Sequence, residues 1–156
     1  MKGRVTLLTL LITLAGAAVS QGASLSAHTL CGSSCGTLSA LNGAGNLSQT
    51  GTGITYGSVR AGTIAILDRS ANGTRNYSVS GWSRTWRKYG FVYFKGRNMS
   101  YFVDTTWTVR ITGTGGIVAN TVARGSGYIK GAGVWSVNRT AQKRWPSTGR
   151  SFQLHS

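Results

Sequence analysis

GSGYIKGAGVWSVN, residues 125–138, is the stretch of the sequence that decides between two fold classes. It carries four glycines within nine residues and then passes directly into Val134, Trp135 and Ser136. A glycine-rich loop binds phosphate when its backbone N–H groups converge at the start of a helix, so such a loop needs a helix after it. The residues that follow here have the composition of a strand. We therefore interpret these glycines as bends and ends of strands in a sheet.

The same glycine punctuation recurs through most of the chain. From Gly51 onward, short runs rich in β-branched and aromatic residues close at Gly, Asn or Asp about every eight residues. These runs are GITYGSV, GTIAILD, NYSVSG, FVYFKG, MSYFVD, WTVRITG, GIVAN, TVARG, YIKG and VWSVN. Alternation in WTVRITG places Trp107, Val109 and Ile111 on one face of a strand. The pattern predicts an all-β fold, a single antiparallel β-sandwich, barrel or β-roll of about eight to ten short strands.

Turn residues favour an antiparallel arrangement. Asn72-Gly73 and Thr114-Gly115-Gly116 supply residues that accept positive φ, which two-residue hairpin loops require. The segment Asp68–Thr74 is therefore predicted to be a hairpin connection between the IAIL and NYSVS strands.

The N-terminal residues have the composition of a secretory signal peptide. Lys2 and Arg4 precede an apolar run over residues 5–19, and small residues follow it. We predict that residues 1–23 form a signal helix that is cleaved on export, so that the mature protein is secreted or bound to the cell surface. The alternative is an uncleaved membrane anchor, but the run is shorter than the ~20 apolar residues that a spanning helix needs.

The segment between the signal peptide and the predicted sheet is rich in glycine and serine. We expect residues 24–50 to form an irregular arm, or else a lightly packed first pair of strands, and residues 51–156 to form the β-domain, since few large apolar side chains precede Gly51. Cys31 and Cys35 are the only cysteines, and in an oxidising compartment we expect them to form a disulfide. A bridge between cysteines this close in sequence requires a turn or one helical turn.

The glycine pattern also resembles a known group of sequences. GxGYIxGxGxWSVN, followed by Trp145-Pro146, and the upstream GTGITYGSVRAGTIAILDRSANG are similar to small exported, glycine-punctuated β-proteins of high-GC Gram-positive bacteria. The similarity covers residues 42–146. It implies an exported bacterial β-domain, and it implies no activity and no catalytic residues.

Charge is the strongest compositional signal. The chain has 17 Lys and Arg residues against two Asp, a formal net charge of +15. Without Lys2 and Arg4 of the predicted signal peptide, fifteen basic residues remain against the two acids, which gives +13. Such a field attracts polyanions, although it also serves the solubility of a secreted protein. The basic residues match no nucleic-acid-binding motif, so we expect nucleic acid to bind only non-specifically.

The inventory of reactive side chains argues against catalysis. Asp68 and Asp104 are the only side-chain carboxylates, and Asp68 opens a predicted turn where it can bond local amides. Paired-carboxylate chemistry would need both of them. His28 and His155 lie in the arm and beside the C-terminus, where a base is hardest to position. The same shortage of ligands argues against a metal site. We therefore expect no enzymatic activity, no cofactor and no metal.

One stretch, GWSRTWRKYG, combines aromatic and cationic side chains densely. The candidate binding patch consists of Trp82, Arg84, Trp86, Arg87, Lys88 and Tyr89. Such a set could stack on sugars or bases while its basic groups contact anions. Alternatively, Trp82 and Trp86 share strand parity and pack in the core. Arg84 has that parity too and would avoid the core face only if the strand bulges or bends.

These features predict an exported, non-enzymatic β-domain that binds an acidic polymer or cell-wall glycan. The first alternative is a structural module that self-assembles because exposed strand edges pair between copies. A third hypothesis is a cationic antibacterial effector. The sequence does not define the oligomeric state.

Overall fold

The computed structural model describes Ala27 and residues 29–156. In this part of the chain the predicted all-β antiparallel fold is confirmed, because six strands form one open antiparallel sheet. The strands are β1 (Gly36–Asp68), β2 (Tyr77–Lys88), β3 (Phe91–Val103), β4 (Thr106–Val137), β5 (Lys143–Arg144) and β6 (Arg150–Leu154). Their order is β2-β3-β1-β4-β5, and β6 also pairs with β4. The predicted signal peptide, residues 1–23, lies outside the described residues.

Two of the strands are much longer than the sequence pattern predicts. β1 has 33 residues and β4 has 32, whereas the glycine spacing predicts about eight to ten short strands. The runs from WTVRITG to VWSVN are consecutive parts of β4. The glycines of β1 and β4 therefore lie within a strand and do not end it, and five of them, Gly45, Gly53, Gly116, Gly131 and Gly133, have the positive φ that glycine tolerates at a bend.

β1 and β4 are wound around each other. Leu47 in β1 pairs with Ile111 on one side and with Ile129 on the other, and both partners belong to β4. These partners are 18 residues apart along β4. That contour is roughly 59 Å long, yet its ends lie only roughly 10 Å apart, on either side of one strand. β4 therefore completes one turn of a coil between them, and β1 turns beside it.

A row of glycines crosses the sheet where the strands bend. Its members are successive register partners in neighbouring strand segments: Gly131, Gly45, Gly113, Gly62 and Gly96. Gly45 and Gly131 face each other with φ of 135° and 137°. A Cβ atom on Gly131 would lie 2.0 Å from the carbonyl oxygen of Ala44. The backbones approach more closely here than side chains would allow, and this approach lets the long strands turn.

The segment 36–50, predicted to belong to an irregular arm, is the first half of β1. Leu38 and Leu47 in this segment are buried in the core. Few large side chains are needed there because β4 pairs with this half of β1 on both sides and encloses it. The composition of the segment does not show that enclosure, which is why the prediction is wrong for residues 36–50.

The predicted hairpin between β1 and β2 is also wrong. β3 lies between these strands in the sheet, so residues 69–76 cross to a strand that is not a neighbour of β1. The tight turn joins β2 to β3 instead, where Tyr89 and Gly90 have φ of 51° and 80°, as a type I′ turn requires. The predicted turn at Thr114-Gly115-Gly116 lies inside β4.

One hydrophobic core fills the inside of the coil. Trp107 is fully buried, and its indole N–H donates to the carbonyl oxygen of Gly53 at 3.0 Å. The predicted alternation is confirmed here, because Val109 and Ile111 are buried with Trp107 while Arg110 is exposed.

Three buried polar side chains help to fix the register between β1 and β4. Thr55 and Thr121 are direct register partners, and their hydroxyl oxygens are 2.9 Å apart. The Thr121 hydroxyl also bonds the side-chain carbonyl oxygen of Gln49 at 2.7 Å. A slip of one residue would move these groups to the other face and leave them without their partners. The network therefore favours a single register.

The predicted disulfide between Cys31 and Cys35 is present. A short 3-10 helix, Gly32–Ser34, supplies the turn that the spacing requires and brings the Cα atoms to 5.5 Å. The bridge lies directly before β1 and restrains the entry of the chain into the sheet.

We predict that Gly131→Ala lowers the free energy of unfolding by about 3 kcal/mol, because an alanine there is strained in φ and clashes with the backbone of β1. Gly115→Ala is the matched control in the same strand. A Cβ atom at Gly115 meets nothing within 4 Å, so we expect a change within about 0.5 kcal/mol. Equilibrium urea unfolding of both variants measures the difference. Equal effects would contradict the role assigned to the glycine row.

Candidate polyanion-binding surface

Six exposed basic side chains lie on one outer face of the coil, which we call the cationic face. They are Arg84, Lys88, Lys95, Arg110, Arg124 and Lys130. Residues that pair directly in a sheet project to the same side. One such row of partners consists of Arg84, Lys95, Thr63, Thr112, Asn46 and Lys130. The next row consists of Trp86, Tyr93, Ala65, Arg110, Ser48 and Tyr128. The coil thus gathers cations from distant parts of the sequence.

A β-bulge in β2 places Arg84 on this face. The register between β2 and β3 leaves Ser83 without a partner. Trp82 then pairs with Gly96 and Arg84 with Lys95, which are adjacent residues of β3. Since adjacent residues project to opposite sides, Arg84 leaves the side that Trp82 occupies. The alternation in the sequence required a bulge for this outcome, and the structure contains one.

Aromatic rings lie among these cations. Trp86 stacks on its register partner Tyr93, with centroids 5.1 Å apart and ring planes 9° from parallel. The Arg84 guanidinium lies 5.4 Å from the Trp86 ring, and the Arg110 guanidinium lies 4.5 Å from the Phe91 ring. Cation–π contacts of this kind orient a guanidinium without neutralising its charge. The charge of these arginines remains available to an anion.

The structure divides the six residues of the predicted binding patch. Arg84, Trp86 and Lys88 share the cationic face. Trp86 is half-buried against Tyr93 on this outer side, so it does not enter the core. These three residues form the edge of the cationic face nearest the free side of β2.

The other three predicted residues lie elsewhere. Trp82 is 46% exposed at the sheet edge, where its ring contacts the buried Phe94 at a centroid distance of 6.1 Å. Arg87 pairs with Val92 and projects to the same side as Trp82. Tyr89 occupies the turn after β2 and is 86% exposed. The structure therefore does not bring these residues together with Arg84 and Trp86 as one patch.

Four members of the cationic face were not part of the predicted patch: Lys95, Arg110, Arg124 and Lys130. The alternation in WTVRITG already indicated that Arg110 faces solvent. Sequence periodicity cannot show which strands are neighbours, and Arg110 and Lys130 meet on one face only because β4 coils. No local sequence signal could have identified the complete face.

The outer face half a turn away carries little charge, and Arg60 lines a depression there with Ser58, Ser100 and Val118. One row of register partners there consists of Ser39, Asn120, Tyr56, Phe102 and Ser78. The neighbouring row consists of Val118, Ser58, Ser100 and Ser80. Neither row contains Lys, Arg, Asp or Glu. Six of the twelve basic residues in the described strands lie on the cationic face, and none lies in these two rows.

The two acidic side chains lie away from the cationic face, where β1 and β3 end. Ser70 and Asn76 each donate a backbone N–H to the Asp68 carboxylate at 3.0 Å, so the predicted bonds to local amides are present. Burial opposes ionisation, but these hydrogen bonds outweigh it and hold the pKa of Asp68 below its ordinary value. Burial, and then the charge of Asp68, raise the pKa of Asp104. Among the described residues, neither aspartate forms an ion pair with a cation of the face.

The remaining candidates for catalysis or metal binding are the two histidines. His155 is exposed after β6, and His28 lies outside the described residues. Within residues 29–156 no group of three or more His, Cys, Asp and Glu side chains gathers in one place.

No protein-family model, curated protein or solved structure matches this chain. In the part of the chain that the structure describes, no helix has the length and apolar character needed to cross a membrane.

We predict opposite effects when the two aspartates are neutralised. Asp68→Asn should lower the free energy of unfolding by about 1 kcal/mol at pH 7, because the carboxylate accepts hydrogen bonds from Ser70 and Asn76. The folded pKa of Asp68 is depressed, so this stabilisation is present above the unfolded pKa of about 4 and is lost as the pH falls through the folded pKa. The difference between wild type and variant should therefore shrink towards pH 3.

Asp104→Asn is the control, because the free energy of unfolding should not decrease when this aspartate is neutralised. Because the folded pKa of Asp104 is raised, its ionisation opposes folding, and the neutral variant should be at least as stable as the wild type at pH 7. Urea unfolding at pH 7 and pH 3 measures both. A loss of stability in Asp68→Asn that is the same at both pH values would contradict the assignment.

Proposed function

We propose that the protein is a non-enzymatic β-domain that binds an acidic polymer or glycan outside the cell or at its surface, through the cationic face. The uneven distribution of charge carries this proposal. Six basic side chains converge on one face without an acidic neighbour, while the rows half a turn away have no charge. Solubility alone requires no such concentration, whereas an anionic partner is attracted and oriented by it.

The dimensions of the cationic face suit an extended partner. Its rows cross six strand segments, and at the usual spacing of strands they are roughly 24 Å long. Arg110 lies two segments from Lys95 in one direction and two segments from Lys130 in the other. Each step corresponds to roughly 10 Å across the strands. Charges at such intervals can contact successive anionic groups along one polymer.

Polar and aromatic groups on the same face add short-range contacts. Thr50 and Thr108 pair through hydroxyl groups 2.9 Å apart, and Thr52 and Thr106 pair at 3.0 Å. Hydroxyl groups of this kind can exchange hydrogen bonds with sugar hydroxyls. The half-buried Trp86 ring offers an apolar surface elsewhere on the same face, three strand segments from Thr108. This mixture favours a sugar polymer over an anionic lipid surface.

The strand edges favour polymer binding over self-assembly. The free edge of β2 contains the bulge at Ser83 and the cations Arg84, Arg87 and Lys88. Bulges and charges on an edge strand hinder pairing with another copy. At the opposite edge, β5 and β6 cover parts of β4. These features argue against the structural module as the main role.

Two features support export. The predicted signal peptide directs the chain out of the cytoplasm. The Cys31–Cys35 disulfide is the kind of bond that persists in oxidising compartments. We expect nucleic acid to compete for the cationic face only through its charge.

We predict that the protein is retained on immobilised heparin, used as a probe polyanion, and that retention weakens steeply with salt. In the triple variant Arg110→Gln, Arg124→Gln, Lys130→Gln, the magnitude of the negative slope of log affinity against log salt should decrease by about 2 to 3. Each basic side chain that no longer contacts the polyanion displaces no counterion, so fewer counterions are released on binding. Fluorescence titration at several salt concentrations measures this slope.

The control is a triple variant with the same loss of charge away from the cationic face, Arg75→Gln, Arg139→Gln, Arg150→Gln. These arginines are exposed in connections and in β6, where Arg150 pairs with Ile129 and projects to the side opposite Lys130. The control should keep most of the affinity and nearly the full salt slope. An affinity that does not change with salt concentration, or an equal loss of affinity in both triple variants, would contradict the proposal.

A further inference from the structure

A shallow depression of about 520 Å³ lies at the border of the cationic face, beside the glycine row. Its lining consists of Arg84, Lys95, Arg97, Ala61, Gly62, Ser83, Gly96 and Thr114. Three of these residues are basic and none is acidic. Depressions at Arg60 and at Arg124 on the same sheet have one basic residue each. The concentration of charge at this depression is therefore a local feature.

The three cations are placed where they repel one another. Arg84 and Lys95 are direct cross-strand partners, and like charges in such a pair destabilise a sheet. Arg97 adds a third positive charge two residues further along β3. In the part of the chain that the structure describes, Arg84 contacts the Trp86 ring and none of the three cations forms an ion pair with Asp68 or Asp104. A bound anion would replace this repulsion by attraction.

An extra residue in β2 creates the arrangement. Without the bulge at Ser83, Arg84 would project to the side of Trp82 and away from Lys95. A second irregularity lies directly before the bulge, between Ser80 and Trp82, where Gly81 has a left-handed φ of 78°. A site that departs from regular pairing in order to gather like charges is typical of a functional site.

We infer that this depression, which we call the oxyanion pocket, binds one sulfate or phosphate group of the polymer. The inference rests on the proposed function for the identity of the polymer, but the pocket can be tested with the ion alone. The guanidinium groups of Arg84 and Arg97 can each donate two parallel hydrogen bonds to an oxyanion, and Lys95 adds a point charge. The hydroxyl group of Thr114 lines the pocket and can donate as well.

The number of donors favours a tetrahedral oxyanion over a carboxylate. A sulfate ester presents three free oxygens and a phosphodiester presents two with a delocalised charge, and both are bound well by converging guanidinium groups. A carboxylate presents two oxygens in one plane, which suits a single arginine. Three cations from two strands therefore exceed what a carboxylate would need.

A heteronuclear NMR titration with sodium sulfate, with sodium chloride adjusted to hold the ionic strength constant, tests the pocket. We expect saturable shifts of the backbone amides of residues 83–84, 95–97 and 114. Arg97→Gln should weaken sulfate binding about tenfold, the usual effect of losing a charge-assisted hydrogen bond, while its spectrum elsewhere shows an unchanged fold. Arg139→Gln, which removes an exposed cation outside the cationic face, should leave sulfate affinity within about twofold.

Shifts that do not saturate and spread over all basic residues would overturn the pocket, as would equal weakening in the two variants.

Repeating the titration with phosphate, a sulfated polysaccharide, a phosphodiester polymer and a polyuronate identifies the source of the oxyanion. We expect the polyuronate to depend least on Arg97, and an equal dependence would count against a tetrahedral group. If sulfate binds but no polymer does, the pocket stands and the proposed function fails. If polymers bind wild type and Arg97→Gln equally, the proposed function stands and the pocket is overturned.

Discussion

The pairing of the first half of β1 with β4 on both of its sides is the constraint on which the rest of the structure depends. Most residues of this enclosed half have a register partner on each side, which satisfies backbone groups that burial would otherwise leave unpaired. One strand can supply both partners only if it coils. In the described residues, the coil encloses the core within a single sheet, without a second sheet or a helix layer. Glycines such as Gly45 and Gly131 permit the close backbone approach that the turn demands.

The same coil organises the electrostatics. Alternation along each strand sends apolar side chains inward and leaves basic ones outside. One turn of the coil uses about half of the residues of β1 or of β4. Outward-facing residues that are far apart in sequence therefore become register neighbours on one side of the coil. The bulge at Ser83 then adds Arg84 to this side. Charge, bulge and glycine row therefore meet at one border of the sheet, where Arg84, Lys95 and Arg97 surround a depression. The binding proposal follows from this coincidence of backbone geometry and charge.

Local features were predictable where a local cause decides them. The alternation around Trp107 identified the inward face because side chains in a strand alternate regardless of its neighbours. The Cys31–Cys35 spacing required a turn, and the Asp68 side chain bonds the amides that its turn position provides. The prediction of an irregular arm over residues 24–50 was wrong for residues 36–50, and the prediction of a hairpin after Asp68 was wrong. Both failed for the same reason. Both depend on which strands pair across long separations, and no short sequence pattern encodes that choice.

The sequence by itself determined that the chain is an antiparallel β-protein with strongly basic outward positions, because period-two alternation, turn chemistry and net charge are properties of the residues themselves. The tertiary structure alone decided that the glycines bend long strands, that residues 36–50 join the core, and that Lys95, Arg110 and Lys130 share a face with Arg84. The first two outcomes and the position of Lys130 depend on the double pairing of β1 with β4, whereas the bulge at Ser83 brings Arg84 to the side of Lys95. Such pairing is selected by the total of buried surface and satisfied backbone groups over the whole chain, and any one segment contains only a small part of that total.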